Sequence, residues 1–286
     1  MNERIQWFDT HAHFDGFAAD GTLEAVLERA TVAGVTRICA VGSSETSNRL
    51  VTRLAAEHPE LFIAAVGYDR DQIDAPHDPA ALADAAAAPG VRAIGEIGLD
   101  YFYAPETAER QRALLTQMLQ LAAEKHLPVI FHSRDADADT LAALREFSVA
   151  WKHFPIIGKN FPQCGKNFPH HGKTEMAPPG ILHCFTRDLA MAEELVALGY
   201  MISFSGILSF NNAAPLREVA SRVPTERLLV ETDCPYLAPK PYRGKVNEPA
   251  YVARVGEVLA EARGCAVGDV AAATFANAYR VFNLGL

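Results

Sequence analysis

The sequence predicts one α/β domain covering residues 1–286, a (β/α)8 TIM barrel, on three observations. Short apolar runs rich in β-branched residues alternate with longer helical stretches, the pattern of a parallel sheet wrapped by helices. Eight such runs are present, the number that closes a barrel. No linker divides them into two domains, and an apolar fraction of 49% against 21% charged residues provides for a large core.

The first run, 5–10, leads straight into His11-Ala12-His13. The second, 35–41, is apolar apart from Thr36 and Arg37, and the third, 61–67, is apolar throughout, as buried parallel strands are. The fourth, 91–97, carries Glu96 near its end. A helix over 106–125 follows, with Leu114, Leu115, Met118 and Leu121 on one stripe. The fifth run, 127–132, ends on His132, and the sixth, 180–185, contains His183.

Between the helix after the fifth strand, expected to end near Phe147, and the sixth strand lies an insertion, 151–179. It repeats GKNFP at Gly158 and Gly165, spaces Lys152, Lys159, Lys166 and Lys173 seven apart, and adds Cys164, His170 and His171. Rich in proline and glycine and without hydrophobic period, it reads as a long irregular loop. Its place before a strand puts it on the bottom face, where it is expected to be dispensable.

The seventh run is 200–205 and the eighth 228–232, with Asp233 directly after it. Asn247, Glu248 and Pro249 mark the start of a helix running to about Ala262. The last helix, over 267–282, is left to close the bottom or side of the barrel.

Charge and cysteine content exclude several classes. With 35 acidic and 26 basic residues the net charge is −9, so nucleic acid would have to be attracted by a local basic patch or bound cations. Five cysteines without a Cys-x-x-Cys pair argue against a disulfide framework or a thiolate zinc site. The uncharged stretch 195–216 is broken by Gly199, Gly206, Asn211, Asn212 and Pro215, and reads as a helix end, a strand and a loop rather than a membrane span. The opening residues show no basic-then-apolar leader, and a cytoplasmic location is expected.

The chemistry concentrates at strand ends. Residues i and i+2 share a strand face, so His11 and His13 reach one point. In an α/β barrel the strand C-termini converge on one face, which brings Glu96, His132, His183 and Asp233 to the same mouth. Four histidines and two carboxylates exceed the set one zinc ion takes, so two divalent cations sharing a carboxylate are expected. Imidazole suits Zn²⁺, and phosphate chemistry suits Mg²⁺ or Mn²⁺. Asp9 and Glu231, two residues before a ligand, point beneath the cluster and are candidates to orient an imidazole. Strand alternation sends Cys184 and Cys234 to the opposite face as buried apolar residues.

The motifs DTHAHFD, GEIGLDY, HSRDA, ILHCF, ISFSGILSF, ETDCPYLAP and RGKVNEPAYV run in order along almost the whole chain and resemble the TatD family of metal-dependent deoxyribonucleases, among the amidohydrolase-like barrels. The resemblance implies that His11, His13, Glu96, His132, His183 and Asp233 hold two metal ions. It further implies phosphodiester hydrolysis on DNA, in the 3′–5′ direction. Thr186-Arg187 after HCF and the 151–179 insertion depart from the family pattern, and neither removes a ligand.

Position on adjacent strands assigns His11, His13 and Asp233 to one cation and His132 and His183 to the other, with Glu96 as the bridge. Asp233 is the favoured proton acceptor and Glu96 the second catalytic carboxylate. Substrate contacts are expected from Arg134, Arg187, Lys240, Arg243 and Lys245 to phosphates, and from Tyr101, Phe102 and Tyr103 by stacking on unpaired bases. The substrate expected is single-stranded DNA or strand ends, with no membrane and no obligate protein partner. The same ligands could polarise a carbonyl, so an amide or carboxylic-ester hydrolase such as an aminoacyl-tRNA deacylase is the alternative enzyme, and a non-catalytic metal-binding protein the third reading.

Overall fold

A computed structural model describes residues 5–153 and 177–285. Its centre is one sheet of eight parallel strands in sequence order, β1 Trp7–Ala12, β2 Val35–Val41, β3 Phe62–Val66, β4 Val91–Asp100, β5 Val129–Arg134, β6 Gly180–Leu182, β7 Met201–Phe204 and β8 Leu228–Val230. The segment after β8 closes the ring on β1. Asp233 N donates to His11 O at 2.9 Å, His13 N donates to Cys234 O at 2.9 Å, and Ala12 bridges Cys234. The expected TIM barrel is what forms.

Strand ends differ from the expected limits where side-chain chemistry takes over from the ladder. β4 runs three residues further than expected, because Gly98 to Asp100 stay in register with His132 to Arg134 of β5. β6 and β8 stop early, and the chain then passes through left-handed residues, Cys184 at φ +46° and Asp233 at φ +58°. Gly98 shows how close the β4–β5 contact is. At φ +152°, a Cβ there would lie 2.0 Å from the His132 carbonyl oxygen. Gly98→Ala is therefore expected to cost about 2 kcal/mol or more and to shift His132. A urea melt checks the first effect, and an unchanged midpoint would contradict it.

Inside the barrel, Phe8, Cys39, Val41, Ile63, Ala65, Ala93, Ile130, Ile181, Met201 and Leu229 form one apolar cluster to which all eight strands contribute. Ala278, Val281 and Phe282 join it from the helix Val267–Val281 and its end. Phe8, Ala93, Ile130 and Met201 lie near the N-terminal ends of their strands, so this last helix caps the bottom of the barrel. Phe282 stacks on Phe8 at 5.7 Å between centroids, with Phe275 and Tyr279 at 6.1 Å. A second, larger cluster fills the layer between the sheet and the surrounding helices.

The helix after β5, Asp137–His153, continues beyond its expected end near Phe147. Leu144, Phe147 and Trp151 keep the helical period, and the rings of Phe147 and Trp151 lie 5.8 Å apart. Residues 151–153 are thus helix, a correction to the expected start of the insertion. Trp151 Nε1 donates to Ala177 O at 2.9 Å, tying the two sides of the insertion together. The repeat and the expectations for Cys164, Lys159, Lys166, Lys173, His170 and His171 lie outside the described residues. The stretch 195–216 resolves into the end of helix Leu189–Leu198, the Gly199 cap at φ +102°, β7 and a short helix, Gly206–Ser209. Among the described residues no helix is long and apolar enough to cross a membrane.

Candidate metal centre

All six residues expected at the mouth are brought together there. Glu96, from β4, stands in the middle with its two oxygens facing different imidazole pairs. Oε2 lies 3.4 Å from both His11 Nε2 and His13 Nε2, while Oε1 lies 3.4 Å from His132 Nδ1 and 3.2 Å from His183 Nε2. Asp233 Oδ1 completes the first group, 3.8 Å from His11 Nε2 and 3.7 Å from His13 Nε2. The nitrogens within each pair are 3.1 Å and 3.4 Å apart.

These spacings fit metal coordination. Ligand atoms arranged tetrahedrally at about 2.0–2.1 Å from an ion stand about 3.3–3.4 Å from each other. His11, His13 and Asp233 form one such group, and Glu96, His132 and His183 another. The donor set, imidazole nitrogen and carboxylate oxygen, suits a divalent cation.

Electrostatics favour a cation as well. Burial opposes a charge on Glu96, but His183 and the other imidazoles outweigh it and hold its carboxyl well below the usual range. Burial and the neighbouring His183 lower His11 to about 4, leaving its imidazole neutral with a free lone pair. His183 is buried too, yet Glu96 and Glu231 hold its pKa well above the usual value. A cation would displace that proton. Burial, reinforced by Glu96 and Glu231, lifts Asp233 to about 7.

The outward-facing ring nitrogens are largely addressed. His13 Nδ1 lies 3.1 Å from Val41 O, His132 Nε2 3.3 Å from Asp100 Oδ2, and His183 Nδ1 3.4 Å from Glu231 Oε1. Such partners fix ring orientation and basicity. Of the two acids expected beneath the cluster, Glu231 faces an imidazole. Asp9 instead accepts from Thr232 N at 2.8 Å, Thr232 Oγ1 at 2.6 Å and His11 N at 3.4 Å, and so ties β1 to the segment after β8. Burial pushes its carboxyl up to about 8.

Three residues of this environment were not anticipated. Asp100 lies past the expected end of β4, and Asp69 and Arg70 follow β3 at the start of the short helix Arg70–Gln72. Arg70 Nη1 donates to Asp69 and, at 3.1 Å, to Glu96 Oε1. Asp100 was inside the GEIGLDY motif, which was the available signal; Asp69 and Arg70 had none. Asp100→Asn is expected to weaken metal affinity by about 10–100-fold through a loosened His132. Equal metal affinity in the two proteins, measured calorimetrically, would remove Asp100 from that role.

The expected substrate residues surround the mouth with different degrees of freedom. Arg134 lies over the rings of Phe102 and Tyr103, at 3.9 and 4.7 Å, and these rings are 54% and 72% exposed. Tyr101 is placed otherwise. Its ring packs on the core and its hydroxyl donates to Asp139 Oδ2 at 2.6 Å, so the open aromatic faces belong to Phe102 and Tyr103. Arg187 is paired with Asp137 at 2.9 Å and Asp135 at 3.5 Å. Arg243 stacks over Phe210 at 4.0 Å, Lys240 Nζ donates to Asn211, and Lys245 is exposed.

Neither cysteine joins the cluster as a thiolate, because burial pushes both thiols well up. Cys234 is buried in the outer layer, as alternation predicts. Cys184 lies beyond the end of β6, where alternation no longer applies, with Sγ 3.1 Å from Ser205 Oγ.

Residues 8–283 match the family model of TatD-related DNases. The chain is 40% identical over 279 residues to the uncharacterized metal-dependent hydrolase YcfH of Escherichia coli (strain K12), covering 96% of this chain and 95% of that one. It is 31% identical over 269 residues to the 3′-5′ ssDNA/RNA exonuclease TatD of Citrobacter rodentium, with 92% of each covered. Among solved structures, the TatD homologue YjjV from Escherichia coli K12 superposes with a TM-score of 0.83 at 31% identity, covering 98% of this chain and 99% of that one.

Proposed function

The chain belongs to the TatD-related DNase family of metal-dependent hydrolases, and from that premise we propose that it hydrolyses phosphodiester bonds of DNA, on single strands or strand ends and in the 3′–5′ direction. The observation that carries this reading is the position of Glu96, one oxygen toward each imidazole pair. His11, His13 and Asp233 would hold one divalent cation, His132 and His183 a second, and Glu96 both. When bound, the cations supply Lewis-acid polarisation and a nucleophilic water at neutral pH.

The chain's own groups do the rest. Asp233 turns Oδ1 toward His11 and His13, which leaves Oδ2 to accept the proton of the attacking water. Glu231 and Asp100 hold the imidazoles of His183 and His132 in place. Arg134, Lys240, Arg243 and Lys245 on the surrounding loops offer positive charge to a backbone of phosphates against the net −9. Phe102 and Tyr103 offer faces to unpaired bases, a contact worth about 1–3 kcal/mol per base. The exonuclease name of the Citrobacter rodentium relative supports the same substrate class.

The test is turnover by chelator-stripped protein reloaded separately with Mg²⁺, Mn²⁺ or Zn²⁺. Labelled single-stranded and duplex DNA are compared with an amide, a carboxylic ester and an aminoacyl-tRNA. Metal-dependent shortening of the single strand from its 3′ end is the expected result. Turnover of the aminoacyl ester without any of DNA would replace this reading with the deacylase.

A further inference from the structure

Arg70 is the unexpected cation of the centre, and its surroundings fix it tightly. The chain leaving β3 is anchored by Asn48, whose side-chain Nδ2 donates to Gly67 O at 2.9 Å and whose Oδ1 accepts from Gly67 N at 3.1 Å. Asp69 N donates to Ser43 O at 3.1 Å, and the Asp69 carboxylate accepts from Arg70 N at 2.7 Å. The guanidinium enters on this support, with Nη1 shared between Asp69 and Glu96 Oε1 and Nε 3.7 Å from Asp100 Oδ2.

Two features go beyond charge balance for buried acids. The side chains of Asp69, Glu96 and Asp100 are 6%, 7% and 2% exposed, whereas that of Arg70 keeps 18%, so it is the most open member of this group. Its Nη2 has no hydrogen-bond partner among the described residues. The oxygen it touches, Oε1 of Glu96, is the one facing His132 and His183. An arginine with one Nη braced on carboxylates and the other free can donate a charge-assisted hydrogen bond to one oxygen of a phosphoryl group.

We propose that Arg70 is a phosphate-binding residue of this site, braced by Asp69 and Glu96 and donating from Nη2 to a non-bridging oxygen of the scissile phosphate. The proposal rests on the phosphodiesterase reading and adds to it the group that would neutralise charge on phosphorus in the transition state.

A role limited to holding Glu96 makes a different prediction. A guanidinium 3.1 Å from Glu96 Oε1 also repels a cation approaching that oxygen. If Arg70 binds phosphate, removing it should leave Mn²⁺ affinity equal or higher while phosphate affinity falls. If it only positions Glu96, Mn²⁺ affinity should fall and carry phosphate affinity with it.

The experiment is calorimetric titration of wild type, Arg70→Gln, Arg70→Lys and Arg70→Ala with Mn²⁺, then of the Mn²⁺-loaded proteins with thymidine 5′-monophosphate, alongside turnover of single-stranded DNA. Arg70→Gln keeps a donor for Asp69 and guards against loss of folding. The expected result is undiminished Mn²⁺ affinity, monophosphate affinity at least about tenfold weaker in Arg70→Gln and Arg70→Ala, partial recovery in Arg70→Lys, and kcat/KM down about 10²-fold. Monophosphate binding as tight as in wild type overturns the proposal, and so does a parallel loss of Mn²⁺ and monophosphate affinity. A wild type that binds the monophosphate but leaves DNA intact contradicts the nuclease reading instead, because the comparison of monophosphate affinities still decides the role of Arg70.

Discussion

Replacing Glu96 with glutamine should lower kcat on single-stranded DNA by roughly 10⁴-fold or more, the scale seen when a catalytic group acting as part of a unit is removed. The substitution keeps the volume and alters only charge and one acceptor. Whichever way the amide turns, an N–H donor replaces an oxygen facing one imidazole pair, so one group loses its shared ligand atom and both lose the negative charge. Metal content by mass spectrometry should fall from two ions per chain toward one or none. Full metal content with full turnover would end the bridging assignment. Because Glu96 is buried among imidazoles and Arg70, the neutral variant should fold, and a circular dichroism melt provides the control.

Phe282→Ala is expected to destabilise the protein by roughly 3–5 kcal/mol while leaving turnover per folded molecule near wild type. Phe282 is 1% exposed and stacks on Phe8, itself 1% exposed, at the bottom of the barrel. Truncation leaves a void bounded by strands already paired all round, which cannot collapse to fill it. Urea unfolding measures the effect. A loss under about 1 kcal/mol would mean that the last helix does not seal the barrel.

The central residues were legible because period-2 strands and the convergence of barrel strand ends fix where side chains go before any contact is known. His11 and His13, Glu96, His132, His183 and Asp233 each lie in a strand or within a few residues of its end, so counting strands brought them together. Arg70 was hidden because it reaches Glu96 from a short helix, and no local pattern reports the length and direction of a side chain crossing between loops. Among Tyr101, Phe102 and Tyr103, three consecutive aromatics, the turn decides which one packs half-buried on the core and which two are exposed. Asp100 Oδ1 accepts from Phe102 N at 3.0 Å and Tyr103 N at 3.1 Å, so a residue beyond the expected strand end controls their exposure. The extra turns of the helix ending at His153 were missed because the proline-rich composition that follows masked a continuing apolar stripe.

The join between β1 and the segment after β8 has a consequence for biosynthesis. Ring closure depends on backbone hydrogen bonds between His11 and Asp233 and between His13 and Cys234, residues from opposite ends of the chain. During translation, Glu96, His132 and His183 have all been synthesised one residue past β6, whereas Asp233, the partner of His11 and His13, follows β8, and the capping helix comes later still. A nascent chain therefore carries one complete half of the centre and one open half. The second half assembles in the same event that shuts the barrel, which couples its formation to synthesis of the segment after β8.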